Sequence, residues 1–292
     1  MNPNFPLYIV SKGRAKTRLT SKALERMGVP YHIVVEEQEF DEYAAVIDPS
    51  KVLVLDKRYQ VEYPTLDDEG DALGKGPGAG AARNFVWDHS IAQGAKWHWV
   101  MDDNIRDFYR LNNNQKVRVY DGAFFLCLED FVQRYKNVAM AGPSYELLTK
   151  RKHRHPPMIM NTRIYSCNLI RNDVPYRWRG RYNEDTDLSL RMLKDGWCTI
   201  QFTAFLQDKC ATQTVRGGCD TEFYQKEGTM PKSKMLVEMH PDVTELVWKF
   251  HRWHHKVDYR PFQGNLLIRR DDIEIPSAAN EYGMVLVNMK EI

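Results

Sequence analysis

Two adjacent carboxylates and an amide, Asp102-Asp103-Asn104, close the apolar run Trp97-His98-Trp99-Val100-Met101. Side-by-side acids at the edge of a core repel each other and lose hydration, so they call for a cation or strong hydrogen bonds. Hard oxygen ligands of this kind suit Mg²⁺ or Mn²⁺, ions often held by one or two carboxylates together with substrate phosphates. The plainer reading is a surface turn, for which Asp and Asn are ordinary residues. A second acidic group, Glu184, Asp185 and Asp187, follows the segment Arg177-Trp178-Arg179-Gly180-Arg181-Tyr182 and opens a helix. Acids belong in a first turn, but three carboxylates in four positions exceed what capping needs. At least one is then available for proton transfer.

Strands and helices must alternate to bring these two stretches together. Residues 7–10 form a short apolar strand that breaks into Ser11-Lys12-Gly13-Arg14, and a helix with Leu19, Ala23, Leu24 and Met27 on one face runs to Gly28. Further strands are expected at 31–35 and 51–56, the latter apolar enough to be covered on both faces, which favours parallel pairing. The acidic, glycine-rich stretch 63–80 cannot build a core. It leads into a helix from about Ala81 to Gly94, whose Arg83 and Asn84 could meet a diphosphate at its N-terminus. Neither a strict GxGxxG nor a Walker lysine is present, so the phosphate signal is weak.

After the acidic strand end, Asp121 caps a helix with Phe124, Cys127, Phe131 and Tyr135 as its stripe. Strands follow at 138–141 and 197–205, and 207–228 looks like loop. Asp242 and Glu245 fit a capping box for a helix through Leu246, Val247, Phe250 and Trp253, with Lys249, His251, Arg252, His254, His255 and Lys256 on its remaining surface.

Bulk properties narrow the class. A chain of 292 residues can bury a proper core, and 41 Lys and Arg against 39 Asp and Glu leave charge distribution, not net charge, to identify partners. Basic residues cluster at Lys150-Arg151-Lys152-His153-Arg154-His155 and at Arg177, Arg179 and Arg181, where Trp178 and Tyr182 interleave. Aromatic rings among arginines can stack on bases while the guanidinium groups hold phosphates, although Trp178 can equally be a core residue. Five cysteines without CxxC spacing point to reduced thiols. No secretory leader or membrane-length apolar run is visible, so a soluble cytoplasmic protein without a membrane partner is expected.

A strand closing on Met101-Asp102-Asp103-Asn104-Ile105 resembles the DxD motif of GT-A glycosyltransferases in its adjacent-acid variant. The stretch from Gly180 to Arg191, followed by Gly196-Trp197, resembles their acceptor-side ED motif. Over most of its length the chain is similar to the TET-associated glycosyltransferases of bacteriophages. The resemblance is carried by Gly74 to Asn84, Trp99 to Ile105, Tyr182 to Leu190 and, near the C-terminus, Gly228-Thr229, Lys232-Ser233-Lys234, His240-Pro241-Asp242-Val243 and Trp253-His254-His255.

This resemblance implies an α/β GT-A-type, Rossmann-like fold: a mixed sheet flanked by helices over residues 1–225, with a mostly helical extension over 226–292 packed on it. It implies a UDP-sugar donor whose base and ribose meet Ser11, Gly13 and Arg14. Asp102 would face the ribose or a metal-bound water, Asp103 would hold Mn²⁺ or Mg²⁺, and His240 is the candidate additional ligand. Asp185, with Glu184 second, would deprotonate the acceptor hydroxyl in an inverting reaction; if configuration is retained, Asp185 orients donor or acceptor instead. The implied acceptor is 5-hydroxymethylcytosine in phage DNA, met inside the host cytoplasm. Lys150, Arg151, Lys152, Arg154, Arg177, Arg179 and Arg181, together with the run from Lys249 to Lys256, would take its phosphates, and Trp178 would act as a wedge or stacking residue. The competing readings are a glycosyltransferase for a polysaccharide or lipid-linked acceptor, a non-catalytic DNA-binding module, and a nucleotidyltransferase that releases pyrophosphate.

Overall fold

Leu7, Tyr8, Ile9 and Val10 are all buried, and the computed structural model shows why. Strand β1 (Leu7–Val10) lies between two parallel neighbours, β2 (His32–Val35) and β4 (Trp97–Asp102). The structure describes residues 1–66, 76–151, 155–210, 230–273, 277–279, 283 and 285. Strand β3 (Val52–Val54) continues the parallel half beyond β2. The other half comprises β5 (Ile105–Asn112), β6 (Gln115–Arg118), β7 (Val138–Tyr145), β8 (Met158–Met160), β9 (Cys167–Arg171) and β10 (Cys198–Lys209). Ten strands form one mixed sheet in the order β3-β2-β1-β4-β9-β7-β10-β5-β6, with β8 paired to β10. Strand β9 runs antiparallel to both β4 and β7, whereas β7 and β10 are parallel.

Alternation along the strands divides the core between the two faces of the sheet. Leu7, Ile9, Trp99 and Met101 pack with α1 (Leu19–Arg26) and with the helix α5 (Ala123–Gln133). Tyr8, Val10 and Val100 pack with α4 (Gly80–Ala92) and α6 (Glu184–Lys194). Two short helices, α2 (Phe40–Ala44) and α3 (Lys57–Val61), bracket β3. The Asp121 carboxylate accepts the Ala123 amide at 2.9 Å just ahead of α5, although the N-cap position itself is Gly122.

Two parts differ from the sequence expectation. The β5–β6 hairpin follows the acidic turn directly, where no strands are anticipated, and β10 runs on to Lys209 through residues read as loop. The C-terminal portion is not mostly helical. One helix, α7 (Met230–Met239), precedes an antiparallel hairpin of β11 (Thr244–Lys249) and β12 (Arg252–Val257) in place of the helix expected from Asp242 and Glu245. Apolar residues at 246, 247, 250 and 253 satisfy a helical template, but the Val, Trp, Thr and His content suits strands, and period alone cannot arbitrate so short a run. Glu245 pairs across the hairpin with Lys256 at 2.6 Å, and Asp242 pairs with Lys194 at 2.7 Å, so neither forms the expected box.

Helix α7 and the segment after the hairpin pack on α6, with Leu236, Val243 and Phe262 against Leu190 and Leu193. No helix among the described residues is long and apolar enough to cross a membrane.

On the α5 side, the buried Glu129 accepts hydrogen bonds from Trp99 Nε1 at 2.8 Å and from the Asn4 amide at 2.8 Å. Burial outweighs these donors and pushes its carboxyl up to about 7. The unfolded chain releases this proton near the ordinary 4.5, so the folded state binds more protons between that value and about 7. Stability conferred at low pH is therefore lost as pH rises through this window. Calorimetric melting across the window should show Tm falling, and Glu129→Gln, which cannot ionise, should flatten the fall; an equal slope in both proteins would contradict it.

Candidate active site

Val10 pairs with Asp102, so the C-terminal ends of β1 and β4 lie side by side. Chain order runs outward from β1 to β2 on one side and resumes at β4 on the other, a switch point of the kind where open α/β sheets bind ligands. A cavity of about 630 Å³ opens there. Its walls come from the ends of β1, β2 and β4, the N-termini of α4 and α6, and residues of β10, α7 and β12.

The two adjacent acids part company at this edge. Asp102 keeps the strand alternation and turns toward α4 and α6, where Arg83 Nη2 donates to Oδ1 at 2.7 Å and Lys209 Nζ lies 2.7 Å from Oδ2. Asp103 turns toward the loop after β1, accepting from Arg14 Nη1 on Oδ1 and from Ser11 Oγ on Oδ2 at 2.6 Å. Ser11 Oγ is also 2.6 Å from the Tyr43 hydroxyl, which accepts the Arg14 amide. Thr20 fixes the turn, its hydroxyl donating to the Asp102 carbonyl at 2.6 Å and accepting the Ile105 amide at 2.9 Å. Burial raises the Asp102 carboxyl, but Lys209 and Arg83 more than offset it and hold the group well below the usual carboxylate range. For Asp103 burial prevails over Arg14 and Ser11, leaving the carboxyl above its ordinary value.

Arg83 joins the two acidic stretches. Its guanidinium lies 4.7 Å from the centre of the Trp178 ring, holds Asp102 with Nη2 and reaches Glu184 with Nη1 at 3.3 Å. Burial lifts the Glu184 carboxyl above its ordinary value, with Arg83 opposing and Asp185 adding to the rise. Asp185 also lines the cavity, and its Oδ1 accepts the Thr186 amide at 2.7 Å. Asn183, at φ 54°, precedes α6 and donates from Nδ2 to the Lys232 carbonyl at 2.7 Å, which ties α6 to α7. Ser233 in turn reaches the Trp253 carbonyl of the hairpin at 3.5 Å. The first position of α4 needs its glycine, since a Cβ at Gly80 would collide with the Tyr63 ring, whose hydroxyl donates to the Gly180 carbonyl at 2.9 Å.

Lys209, Ser166, Tyr145, Arg163 and Tyr165 have no sequence forecast. Lys209 Nζ, besides Asp102, donates to Ser166 Oγ at 2.7 Å, and Ser166 Oγ lies 2.7 Å from the Tyr145 hydroxyl. Burial opposes the Lys209 ammonium, but Asp102 and Tyr145 prevail and raise its pKa above the ordinary value. Arg163, Tyr165, Lys232, Arg252 and His255 complete this side. Burial, reinforced by Lys232 and Arg163, takes the His255 imidazole down to about 4. The signal for Lys209 was available in Asp208-Lys209, a charged end to an apolar strand that repeats the pattern at Asp102.

Of the predicted residues, Ser11, Arg14, Arg83, Asp102, Asp103, Arg181, Glu184 and Asp185 line the cavity. Gly13 does not, and its amide donates to Glu39. Asn84 is engaged elsewhere, exchanging hydrogen bonds with the Trp178 backbone at 2.9 and 3.0 Å. Trp178 has no exposed surface, so it cannot be the wedge. The second basic cluster is consumed internally: Arg177 pairs with Asp88, Arg179 with Asp187, and the buried Arg181 donates to the Gly76 carbonyl. His240 Nε2 lies 2.9 Å from Oδ1 of the buried Asp187, which also pairs with Arg191, and it does not line the cavity. Lys150 and Arg151 are exposed, while Lys152 and Arg154 lie outside the described residues.

The described residues do not fit the divalent ion expected at the acidic pair. Both carboxylates line the cavity, but each already has its own cation, Arg83 and Lys209 on Asp102 and Arg14 on Asp103. A divalent ion on Asp102 would sit against Lys209 and Arg83. Among the described residues no three His, Cys, Asp or Glu side chains converge on one point.

A family profile for TET-associated glycosyltransferases matches residues 5–218, from just ahead of β1 to beyond β10. The chain belongs to the TET-associated glycosyltransferase family. This glycosyltransferase therefore carries both acidic stretches, Arg83 and Lys209 inside its family match, with α7 and the hairpin after it. Its mixed sheet, flanked by helices, is compatible with a GT-A-type fold. No curated protein matches the chain. Among solved structures, mannose-6-phosphate isomerase from Helicobacter pylori aligns at 9% identity over 92% of this chain and 94% of its own, with a TM-score of 0.26, too low to indicate a shared fold.

Removing Arg83 leaves Asp102 and Glu184 facing each other in a largely dry site. Arg83→Met should lower the unfolding free energy by about 3 kcal/mol in urea titrations, the scale for breaking a buried ion pair from one side. Adding Glu184→Gln should recover part of it, whereas strictly additive losses would show that the two acids are not bridged.

Proposed function

We propose that this TET-associated glycosyltransferase moves a sugar from a UDP-sugar onto the hydroxymethyl group of 5-hydroxymethylcytosine in DNA. One observation carries the reading. The cavity at the switch point is lined by Asp185 and by more cations than acids, and it meets a second cavity of about 380 Å³ beneath the basic hairpin. Donor and acceptor thus have adjoining places. The sequence resemblance supplies the chemical identity of the acceptor.

The uridine end of the donor fits between Val34, Leu55 and Gln60, beside Glu36, and the diphosphate then lies toward Arg14, Lys209 and Arg163. In the transfer, the acceptor hydroxyl oxygen forms a bond to the anomeric carbon while the bond from that carbon to the β-phosphate oxygen breaks. Asp185 takes the hydroxyl proton and UDP leaves with the bonding pair. Charge on the departing diphosphate is met by Lys209, Arg163 and Lys232, side-chain cations in a site of reduced dielectric. Glu184, bound to Arg83, holds the start of α6 in place rather than competing for the proton.

Duplex oligonucleotides containing 5-hydroxymethylcytosine, incubated with a panel of UDP-sugars and digested to nucleosides, should yield a hexosylated or N-acetylhexosaminylated cytidine by mass spectrometry. Asp185→Asn should slow its formation about a thousandfold and Lys209→Ala about a hundredfold. Nucleosides unchanged across the panel, with transfer to a polysaccharide acceptor instead, would overturn the DNA assignment. Most of the transfer should survive EDTA, and abolition by EDTA with recovery in Mn²⁺ would overturn the role given to the side-chain cations.

A further inference from the structure

The C-terminal hairpin presents aromatic surface to solvent where packing does not require it. Phe250 is 84% exposed at its tip, and the cross-strand pair Trp248 and Trp253 is 59% and 38% exposed with ring centres 5.3 Å apart. The two turn residues, Phe250 and His251, have φ of 52° and 58°. Such a turn ordinarily takes Asn-Gly, and a bulky ring there is conformationally unfavourable. An apolar side chain kept in a strained place without burial has its use outside the free protein.

Charge indicates what covers this surface. Lys249, Arg252 and Lys256 with three histidines stand on the hairpin against the single acid Glu245, itself paired with Lys256. Val247, Lys249, His254 and Lys256, which alternate onto one side, form a wall of the second cavity, and Phe250 stands at its rim. That cavity meets the donor cavity at Arg163, Tyr165 and His255, all common to both. The His255 Nδ1 is buried with no hydrogen-bond partner among the described residues.

Resting on the reading of DNA as the acceptor, we infer that the hairpin is the element that opens the duplex. Phe250 enters the base stack in place of the extruded nucleotide, and Lys249 and Arg252 hold the flanking phosphates. The extruded base occupies the second cavity, with its hydroxymethyl group directed past His255 toward Asp185. Apolar wedges of this kind unstack base steps, and a base must leave the duplex before an enclosed site can act on it. The wedge belongs to this exposed hairpin and not to the buried Trp178.

Phe250→Asn separates folding from function, because Asn suits positive φ; its Tm should equal or exceed that of the unaltered protein. With a 5-hydroxymethylcytosine oligonucleotide offered as duplex and as single strand, the substitution should lower the ratio of duplex to single-strand transfer about tenfold, the scale of one lost stacking contact. 2-Aminopurine placed beside the target in the duplex should brighten on binding the unaltered protein and stay quenched with Phe250→Asn. An unchanged ratio, or equal brightening with both proteins, overturns the wedge while transfer itself stands. Failure of the unaltered protein to transfer to either oligonucleotide overturns the DNA reading, and the wedge with it.

Discussion

The contact on which the rest of the site depends is the guanidinium of Arg83, held between Asp102, Glu184 and the face of Trp178. It fastens the end of a sheet strand to the start of a helix from a distant part of the chain, in a place nearly closed to water. Two acids brought this close without it would repel, and the low dielectric would magnify the repulsion. With it, the α6 N-terminus is fixed against the sheet edge, and Asp185 comes to the cavity as the next residue along.

The same geometry explains why two neighbouring acids do different work. Asp102 is held by Arg83 and Lys209 and Asp103 by Arg14 and Ser11, so their mutual repulsion is relieved by separate partners. Asp103 organises the loop after β1 through Ser11 and Arg14, and Tyr43 stands behind it. Asp102 faces the reaction space and fixes Lys209, which makes the acid a holder of a cation instead of a group awaiting one. The site is thereby charged by its own side chains before any ligand arrives.

Much of this was legible in the sequence because the apolar runs at 7–10 and 97–101 and the acids that end the second are local signals. The position of the site, the clustering of both acidic stretches and the start of α5 just after Asp121 follow from such signals. Partners contributed by remote segments are not local. Lys209 stands more than a hundred residues from Asp102, and Arg177, Arg179 and Arg181 look like a nucleic-acid patch until Asp88, Asp187 and the Gly76 carbonyl are found beside them. Residues 244–257 misled for another reason: their apolar spacing satisfies a helix, while cross-strand pairs such as Trp248 with Trp253 decide for a hairpin.

Helix α7 touches the machinery at two points, through the Lys232 carbonyl at Asn183 and through Ser233 at the Trp253 carbonyl. It lies as a strut between the hairpin and the start of α6. A ligand that favours one setting of the strut must favour the same setting for its counterpart across the divide, and by reciprocity each would sharpen or blunt the hold on the other.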